Sequence, residues 1–275
     1  MILKRPAELD IMAEAAVINR QALEAVERAI AVGVTTAELN AIAEDAILAG
    51  GGTPAFKGYN GFPATLCTSV NDVVVHGFPS DEPLRAGDVL SVDIGTLYKG
   101  YAADMARTYA IGDVSDEAKA LIDASERSLQ AGIDAMRAGN RLGDVAAAIQ
   151  AVVEDAGFWV VREFVGHGIG RAFHEAPNVP NFGRAGTGPV LRSGLVLAIE
   201  PMVTVNQTAV DVLEDGWTAV SADGSLAAHV EHTVAVTDDG PWVLTAPRAS
   251  RASERGTSTT NAAQWADGRA DPAGR

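Results

Sequence analysis

Asp93 and Asp104 are the first residues in this chain whose type and placement point to chemistry. Asp93 ends an apolar, β-branched run at residues 89–94, and Asp104 lies in residues 101–111, which read as a returning strand. With Leu97-Tyr98-Lys99-Gly100 taken as a four-residue turn, the two carboxylates fall directly opposite each other. Their Cβ atoms would then be roughly 4.5–5.5 Å apart. Facing carboxylates on apolar strands repel and are poorly solvated. Shared protons, a cation such as Arg107 or a metal must compensate them.

Three further segments carry donors of the same kind. Gly166-His167-Gly168-Ile169-Gly170-Arg171-Ala172-Phe173-His174-Glu175 holds two of the five histidines in a glycine-rich stretch. Glycines beside a histidine let backbone approach a ligand closely, although a buried histidine satisfied by backbone would look the same. Glu200 ends an apolar strand, and Pro201 denies the next position a ladder donor. In Ala227-Ala228-His229-Val230-Glu231-His232-Thr233-Val234, alternation puts His229, Glu231 and Thr233 on one face. Val230, His232 and Val234 take the other, so Glu231 and His232 cannot both point into one site.

Together, Asp93, Asp104, Glu200 and Glu231 supply four negative charges and His167 a neutral nitrogen. Two divalent cations would balance them, with a bridging hydroxide between metals roughly 3.5–4 Å apart. Oxygen-rich ligation with one imidazole suits Mn, Fe, Co or Zn better than a cysteine-type structural zinc site. Such a centre activates water to hydrolyse an amide or a phosphate.

The elements that must hold these residues read as follows. Residues 6–32 form a helix, with Leu9, Met12, Ala16, Leu23, Val26 and Ile30 at helical spacings and Gly33 as its stop. Thr35-Thr36-Ala37-Glu38 is a capping box opening a second helix, which runs to Gly50-Gly51-Gly52. Strands follow, notably at residues 72–76 and 89–94. Ser115-Asp116-Glu117 opens a third helix, stopping near Gly139, and a fourth spans residues 142–157. More strands run to about residue 244. The order repeats, and residues 84–93, LRAGDVLSVD, match residues 191–200, LRSGLVLAIE. Val75-His76-Gly77-Phe78 resembles Gly166-His167-Gly168-Ile169, at a different spacing. The expectation is two similar halves packed as one pseudo-symmetric α/β unit, since a period of roughly 107 residues is too long for a solenoid.

Composition narrows the class. The chain has 275 residues, 47 % apolar and 21 % charged, as in an ordinary globular protein. No stretch reaches the length of a membrane span, and the first ten residues do not read as a signal peptide. The single cysteine, Cys67, allows no intrachain disulfide, and the cytoplasm is the expected location. A net charge of -15 argues against nucleic-acid recognition, while leaving room for a local basic patch in transient contact with a ribosome. Residues 246–275 lack Val, Ile, Leu, Met and Phe. They read as a disordered polar tail after a single domain at residues 1–245, with Trp265 as the one residue suited to docking.

The segments VVHG at 74–77, VDIG at 92–95, YAAD at 101–104, GHGIG at 166–170, FHE at 173–175, AIEPM at 198–202 and VEHT at 230–233 resemble type I methionine aminopeptidases in order and spacing. The likeness covers about residues 6–245. It implies an α+β pita-bread fold, in which two pseudo-symmetric α/β halves surround a curved antiparallel sheet. It also implies a monomer that removes the initiator methionine from nascent polypeptides with a small second residue. By the resemblance, Asp93, Asp104, His167, Glu200 and Glu231 are the ligands of two divalent metal ions. Asp104 and Glu231 would bridge the metals, Asp93 would hold one, and His167 and Glu200 would complete the other. Glu200 would also handle the proton of the attacking water, His174 would stabilise the oxyanion, and His76 would contact the scissile amide or the leaving group. Tyr59, Phe62, Cys67 and Trp217 match positions lining the methionine pocket, whereas some relatives carry a second pocket cysteine in place of Phe56. No zinc-binding extension precedes the unit, as in the short bacterial form.

Two other readings compete. Prolidases and aminopeptidase P share the fold and ligand types but usually carry an extra N-terminal domain, and here the helices begin by about residue 6. Some pita-bread relatives have lost their metals and serve as interaction modules. All five ligand positions are filled here.

Overall fold

The computed structural model describes residues 1–247. The expected tail falls almost wholly on residues 248–275, outside the described residues. Four helices, α1 (Pro6–Ala29), α2 (Thr36–Ala49), α3 (Asp116–Ala135) and α4 (Leu142–Asp155), form two helical pairs. The strands are β1 (Thr53–Pro54), β2 (Leu66–Val70), β3 (Val73–Val75), β4 (Val89–Tyr98), β5 (Tyr101–Ala110), β6 (Trp159–Val160), β7 (Gly166–Gly168) and β8 (Glu175–Val179). They continue as β9 (Val196–Ile199), β10 (Met202–Thr204), β11 (Val210–Val212), β12 (Ala219–Ser221), β13 (Ala227–His229), β14 (Glu231–Thr237) and β15 (Gly240–Val243). Nine strands make one sheet in the order β1-β4-β5-β14-β9-β7-β8, with β2 on β4 and β15 on β14. Two three-stranded sheets, β13-β10-β6 and β11-β12-β3, flank it.

The large sheet has one greasy face and one chemical face. Leu90, Val92 and Ile94 of β4 and Met105 of β5 pack with Leu23, Val26, Leu39 and Ile47 of α1 and α2. Leu197, Ile199 and Val234 of β9 and β14 pack with Leu129, Ile133 and Ile149 of α3 and α4. Each such side chain contributes about 1.5–3 kcal/mol when fully buried. Because strand side chains alternate, covering one face with helices turns the residues between them to the other. Those residues include Asp93, Asp104 and Glu231.

The internal repeat is visible in hydrogen bonds. Gly33 N–H donates to Leu84 O at 2.8 Å, and Gly139 N–H donates to Leu191 O at 3.0 Å. Leu84 N–H returns to Val34 O and Leu191 N–H to Asn140 O, both at 2.8 Å. A capping box at Thr35/Glu38 opens the second helix of the first pair, and at the matching place in the other pair Asp144 Oδ2 accepts from Arg141 N–H at 2.7 Å. The match of His76 with His167 is not part of this correspondence. His167 stands opposite Ala198, and the equivalent place in the first half, opposite Ser91, belongs to Ser69.

The β4–β5 register corrects the expectation of directly opposed aspartates. Tyr98 pairs with Tyr101, so the turn is the two residues Lys99-Gly100, with φ of 48° and 77°. Positive φ at both central residues is the tight hairpin geometry that follows strand twist. Lysine is an unusual choice for such a turn. Here its ammonium is tied to Glu14 of α1 at 2.6 Å and lies 4.9 Å from the Tyr98 ring centre. Asp93 therefore faces Ala106 and Asp104 faces Gly95. The shift is two residues, an even number, so both carboxylates remain on one face as diagonal neighbours.

Candidate metal centre

All the side chains singled out from the sequence line one cavity of about 220 Å³: Asp93, Asp104, His167, Glu200 and Glu231, with His76, His174, Tyr59, Phe62, Cys67 and Trp217. Two strands of the first half bring Asp93 and Asp104. β7, the end of β9 and β14 bring His167, Glu200 and Glu231. The seam is the pairing of β14 with β5, where Glu231 stands opposite Ala106. Thr233 extends that short ladder. Its Oγ1 accepts from Asp104 N–H at 3.0 Å and donates to Asp104 O at 2.8 Å.

His167 Nε2 lies 3.8 Å from Asp104 Oδ2 and 3.6 Å from Glu200 Oε1. Its Nδ1 lies 3.0 Å from Gly168 O. With that nitrogen donating, Nε2 keeps its lone pair for a cation. Glycine at 166 lets β7 lie close against β9, because a Cβ there would sit 2.4 Å from Ala198 O. Gly95, opposite Asp104, leaves room that Phe56 and Phe173 fill, with a Cβ only 2.6 Å from Phe56 Cε1.

The electrostatics is one-sided. Among the described residues, no lysine or arginine lines the cavity. Arg107 is on the opposite face of β5, 3.5 Å from Glu27, so it does not neutralise the aspartates. Asp93 Oδ1, Asp104 Oδ1 and Glu231 Oε1 are buried without a hydrogen-bond partner. Burial pushes the Asp93 carboxyl up to about 7. Burial, and then the neighbouring carboxylates, raise Asp104 and Glu231 well above the usual range, and burial alone raises Glu200. Burial, and then the nearby His174, hold His167 down to about 4. Unpaired buried carboxylates beside a neutral imidazole are a donor set for hard or borderline divalent cations. Asp104, His167 and Glu231 form one group able to hold an ion, and Glu200, His229 and Glu231 form another.

Beside the carboxylates the wall turns apolar. Phe62 meets Trp217 edge-on with ring centres 5.2 Å apart, and Tyr59 packs on Phe173 at 5.6 Å. Cys67 pairs across the sheet with Asp93. Burial, and then the Asp93 charge, raise its thiol, which keeps it neutral. Tyr59 OH lies 2.8 Å from His174 Nδ1. His76 holds a left-handed φ of 61°, with its ring 5.4 Å from Phe164 and 6.1 Å from Trp217.

The cavity includes residues that sequence reasoning left unassigned, among them Phe164, Phe173, Met202 and His229. For His229 a signal existed, since alternation sets it on the Glu231 face. The chain breaks strand at Val230, between β13 and β14, yet both side chains reach the cavity. His232 points away, as alternation requires, and its Nδ1 meets Thr245 Oγ1 at 2.8 Å.

Residues 10–238 match the model of metallopeptidase family M24. The chain is 50% identical to a methionine aminopeptidase of Clostridium perfringens over 89% of its own length and 98% of that protein's. It is also 50% identical to methionine aminopeptidase 1 of Mycobacterium tuberculosis, over 86% and 92% of the two chains. The crystal structure of methionine aminopeptidase from Thermotoga maritima superposes with a TM-score of 0.88 at 43% identity, covering 89% of this chain and 99% of that one. A prolidase from Pyrococcus furiosus, at 22% identity and a TM-score of 0.73, shares the fold alone. That fold is the pita-bread arrangement, with helices backing a curved antiparallel sheet. With its carboxylates and imidazole gathered on the open face of that sheet, the chain belongs to the methionine aminopeptidases of metallopeptidase family M24.

Proposed function

We infer that this enzyme hydrolyses the first peptide bond of proteins that begin with methionine, preferring a small second residue. One observation carries the reading: four carboxylates, with Asp104 and Glu231 buried, and an imidazole, with no lysine or arginine from the described residues beside them, open directly onto an aromatic, sulfur-containing pocket. Asp93, Asp104, His167, Glu200 and Glu231 would hold two divalent ions, of Co, Mn, Fe or Zn. Bound there, such ions acidify water and polarise a carbonyl.

The chain's own residues account for the rest. Tyr59, Phe62, Cys67 and Trp217 accept the methionine side chain, and sulfur–aromatic contacts add roughly 0.3–1.5 kcal/mol. A charged first side chain would have to desolvate there without a partner. The carboxylates around Asp93 hold the free amino terminus, which excludes acetylated substrates. Glu200 takes the proton from the attacking water. When Tyr59 O–H donates to His174 Nδ1, the His174 proton sits on Nε2 and is available to the developing oxyanion. His76 contacts the scissile amide from the Trp217 side.

Among the described residues no helix is long and apolar enough to cross a membrane. The reading assigns the enzyme to the cytoplasm, as a monomer acting on nascent chains in transient contact with the ribosome. The test is a competition between Met-Ala-Ser and Leu-Pro-Ser, after chelation and with metal added back. Release of methionine is expected, and preferential release of leucine would overturn the reading.

A further inference from the structure

His229 is held by its backbone on both sides, and none of the catalytic roles above uses it. Its N–H donates to both Ser91 Oγ and Thr108 Oγ1, each at 3.1 Å. Its carbonyl accepts from Thr108 Oγ1 at 2.8 Å. The two hydroxyls are 2.9 Å apart and belong to residues paired directly across β4 and β5. The Asp93-bearing hairpin thus grips the backbone of a residue from the second half. On its other side His229 pairs with Met202, two residues beyond Glu200. The residue is 3 % exposed, and its Nε2 has no hydrogen-bond partner.

That nitrogen lies 3.6 Å from Glu200 Oε2, while His167 Nε2 lies 3.6 Å from Glu200 Oε1. Two imidazoles therefore bracket one carboxylate, one at each oxygen. The Glu200 backbone is fixed as well, its carbonyl accepting from Asn181 Nδ2 at 3.0 Å. A separation of 3.6 Å is longer than a hydrogen bond. With both backbones held, small side-chain rotations of Glu200 and His229 are enough to close it.

We propose that His229 is a positioning residue of the metal centre: its Nε2–H holds Oε2 of Glu200, leaving Oε1 on the His167 side for the cation. Partners of this kind fix a ligand's orientation, and their loss costs about 10–100-fold in metal affinity or activity. The role suits a carboxylate asked both to bind an ion and to take a proton, since the two tasks fall to different oxygens only if something tells them apart. The proposal rests on the metal-centre reading above.

The test uses the full chain, stripped with chelator and titrated with Co(II) by calorimetry and visible absorption. Three variants are compared: H229Q, whose amide can place a donor near the Nε2 position; H229L, which has no donor; and H229N, whose amide is too short to reach. H229L and H229N should weaken one Co(II) binding step and lower kcat on Met-Ala-Ser, each by about 10–100-fold, with KM within about threefold. H229Q should recover both and keep the wild-type cobalt absorption bands. If H229L does not fold, judged by circular dichroism of the metal-free protein, H229N carries the comparison. Wild-type metal binding and turnover in H229L or H229N would overturn the proposal, leaving His229 a core residue. Loss of a binding step in H229Q, with altered cobalt bands, would overturn it in favour of direct ligation. Failure of the wild-type chain to bind cobalt would refute the metal-centre reading itself.

Discussion

The first half of the molecule presents its two carboxylates from a single hairpin, whereas the second half gathers its donors from three short strands. β4 and β5 are each ten residues long and joined by two, so Asp93 and Asp104 are neighbours by local geometry. β7, β9 and β14 have three, four and seven residues, and His167, Glu200 and Glu231 meet only because those strands pair. Yet the halves share their helix pairs, an acidic residue that accepts from the N-cap N–H of the second helix, and the glycine hydrogen bonds to Leu84 and Leu191. At the position where the second half has His167, the first has Ser69. A repeated scaffold therefore carries an asymmetric site, built from different residues on one sheet face and from strands of different length.

Replacing a donor on either side should break the site equally, because the two halves contribute to one centre. Asp104→Asn should lower kcat/KM at least about a thousandfold, roughly 4 kcal/mol of transition-state stabilisation, with the fold intact, since removing a buried charge also relieves repulsion. His167→Ser, which gives the second half the residue of the first, should match it within about tenfold. Steady-state kinetics with circular dichroism checks both. Turnover near wild type in D104N with metal still bound would remove Asp104 from the centre.

A buried ion pair that ties the N-terminal segment to the second half should matter more than an exposed one within the first. Lys4 Nζ meets Glu175 Oε2 at 2.6 Å with side chains 3% and 5% exposed, clamping the residue after His174. Breaking such a buried pair leaves Glu175 uncompensated, so Lys4→Met should cost about 3–5 kcal/mol. Lys57–Glu44, at 2.7 Å in the first half, is far more exposed, and Lys57→Met should cost under about 1 kcal/mol. Urea denaturation reads both, and equal losses would contradict the comparison. Tyr59→Phe crosses the divide, since it unties His174 from a first-half residue. A fall in kcat of about tenfold, with stability unchanged within about 1 kcal/mol, is expected, and an unchanged kcat would free His174 from that tether. The smallest effect belongs to the C-terminal segment. A chain ending at Pro247 should keep its Tm and its turnover of short peptides, and a clear fall in Tm would show that the removed residues pack on the body.

What could be read in advance follows the same divide. The Thr35 capping box is local and was legible; its Oγ1 accepts from Glu38 N–H at 3.2 Å. The third helix ends at Ala135, before the expected stop, because Gly139 serves as the partner of Leu191 O rather than as a cap. The aspartate pair was legible as one face of a hairpin, but not in register, because lysine in a left-handed turn gives no sequence signal. The convergence of His167, Glu200 and Glu231 depends on pairings between distant strands; charge balance grouped them with the aspartates, and resemblance to a family assigned their places. His229 was placed on the correct face by alternation. Its function stayed hidden because its partners, Ser91, Thr108 and Glu200, lie on strands that periodicity cannot bring together.

β14 lies between β5 and β9 in the large sheet and carries Glu231 at its first position. A ribosome delivers the chain from its first residue to its last, so both neighbours emerge before the strand that joins them. Until it arrives, Asp104 lacks its Thr233 brace and the centre lacks Glu231. Assembly of the centre is therefore among the last events in this protein's own synthesis. A peptidase whose substrates are other growing chains thus stays inert while it is itself a growing chain.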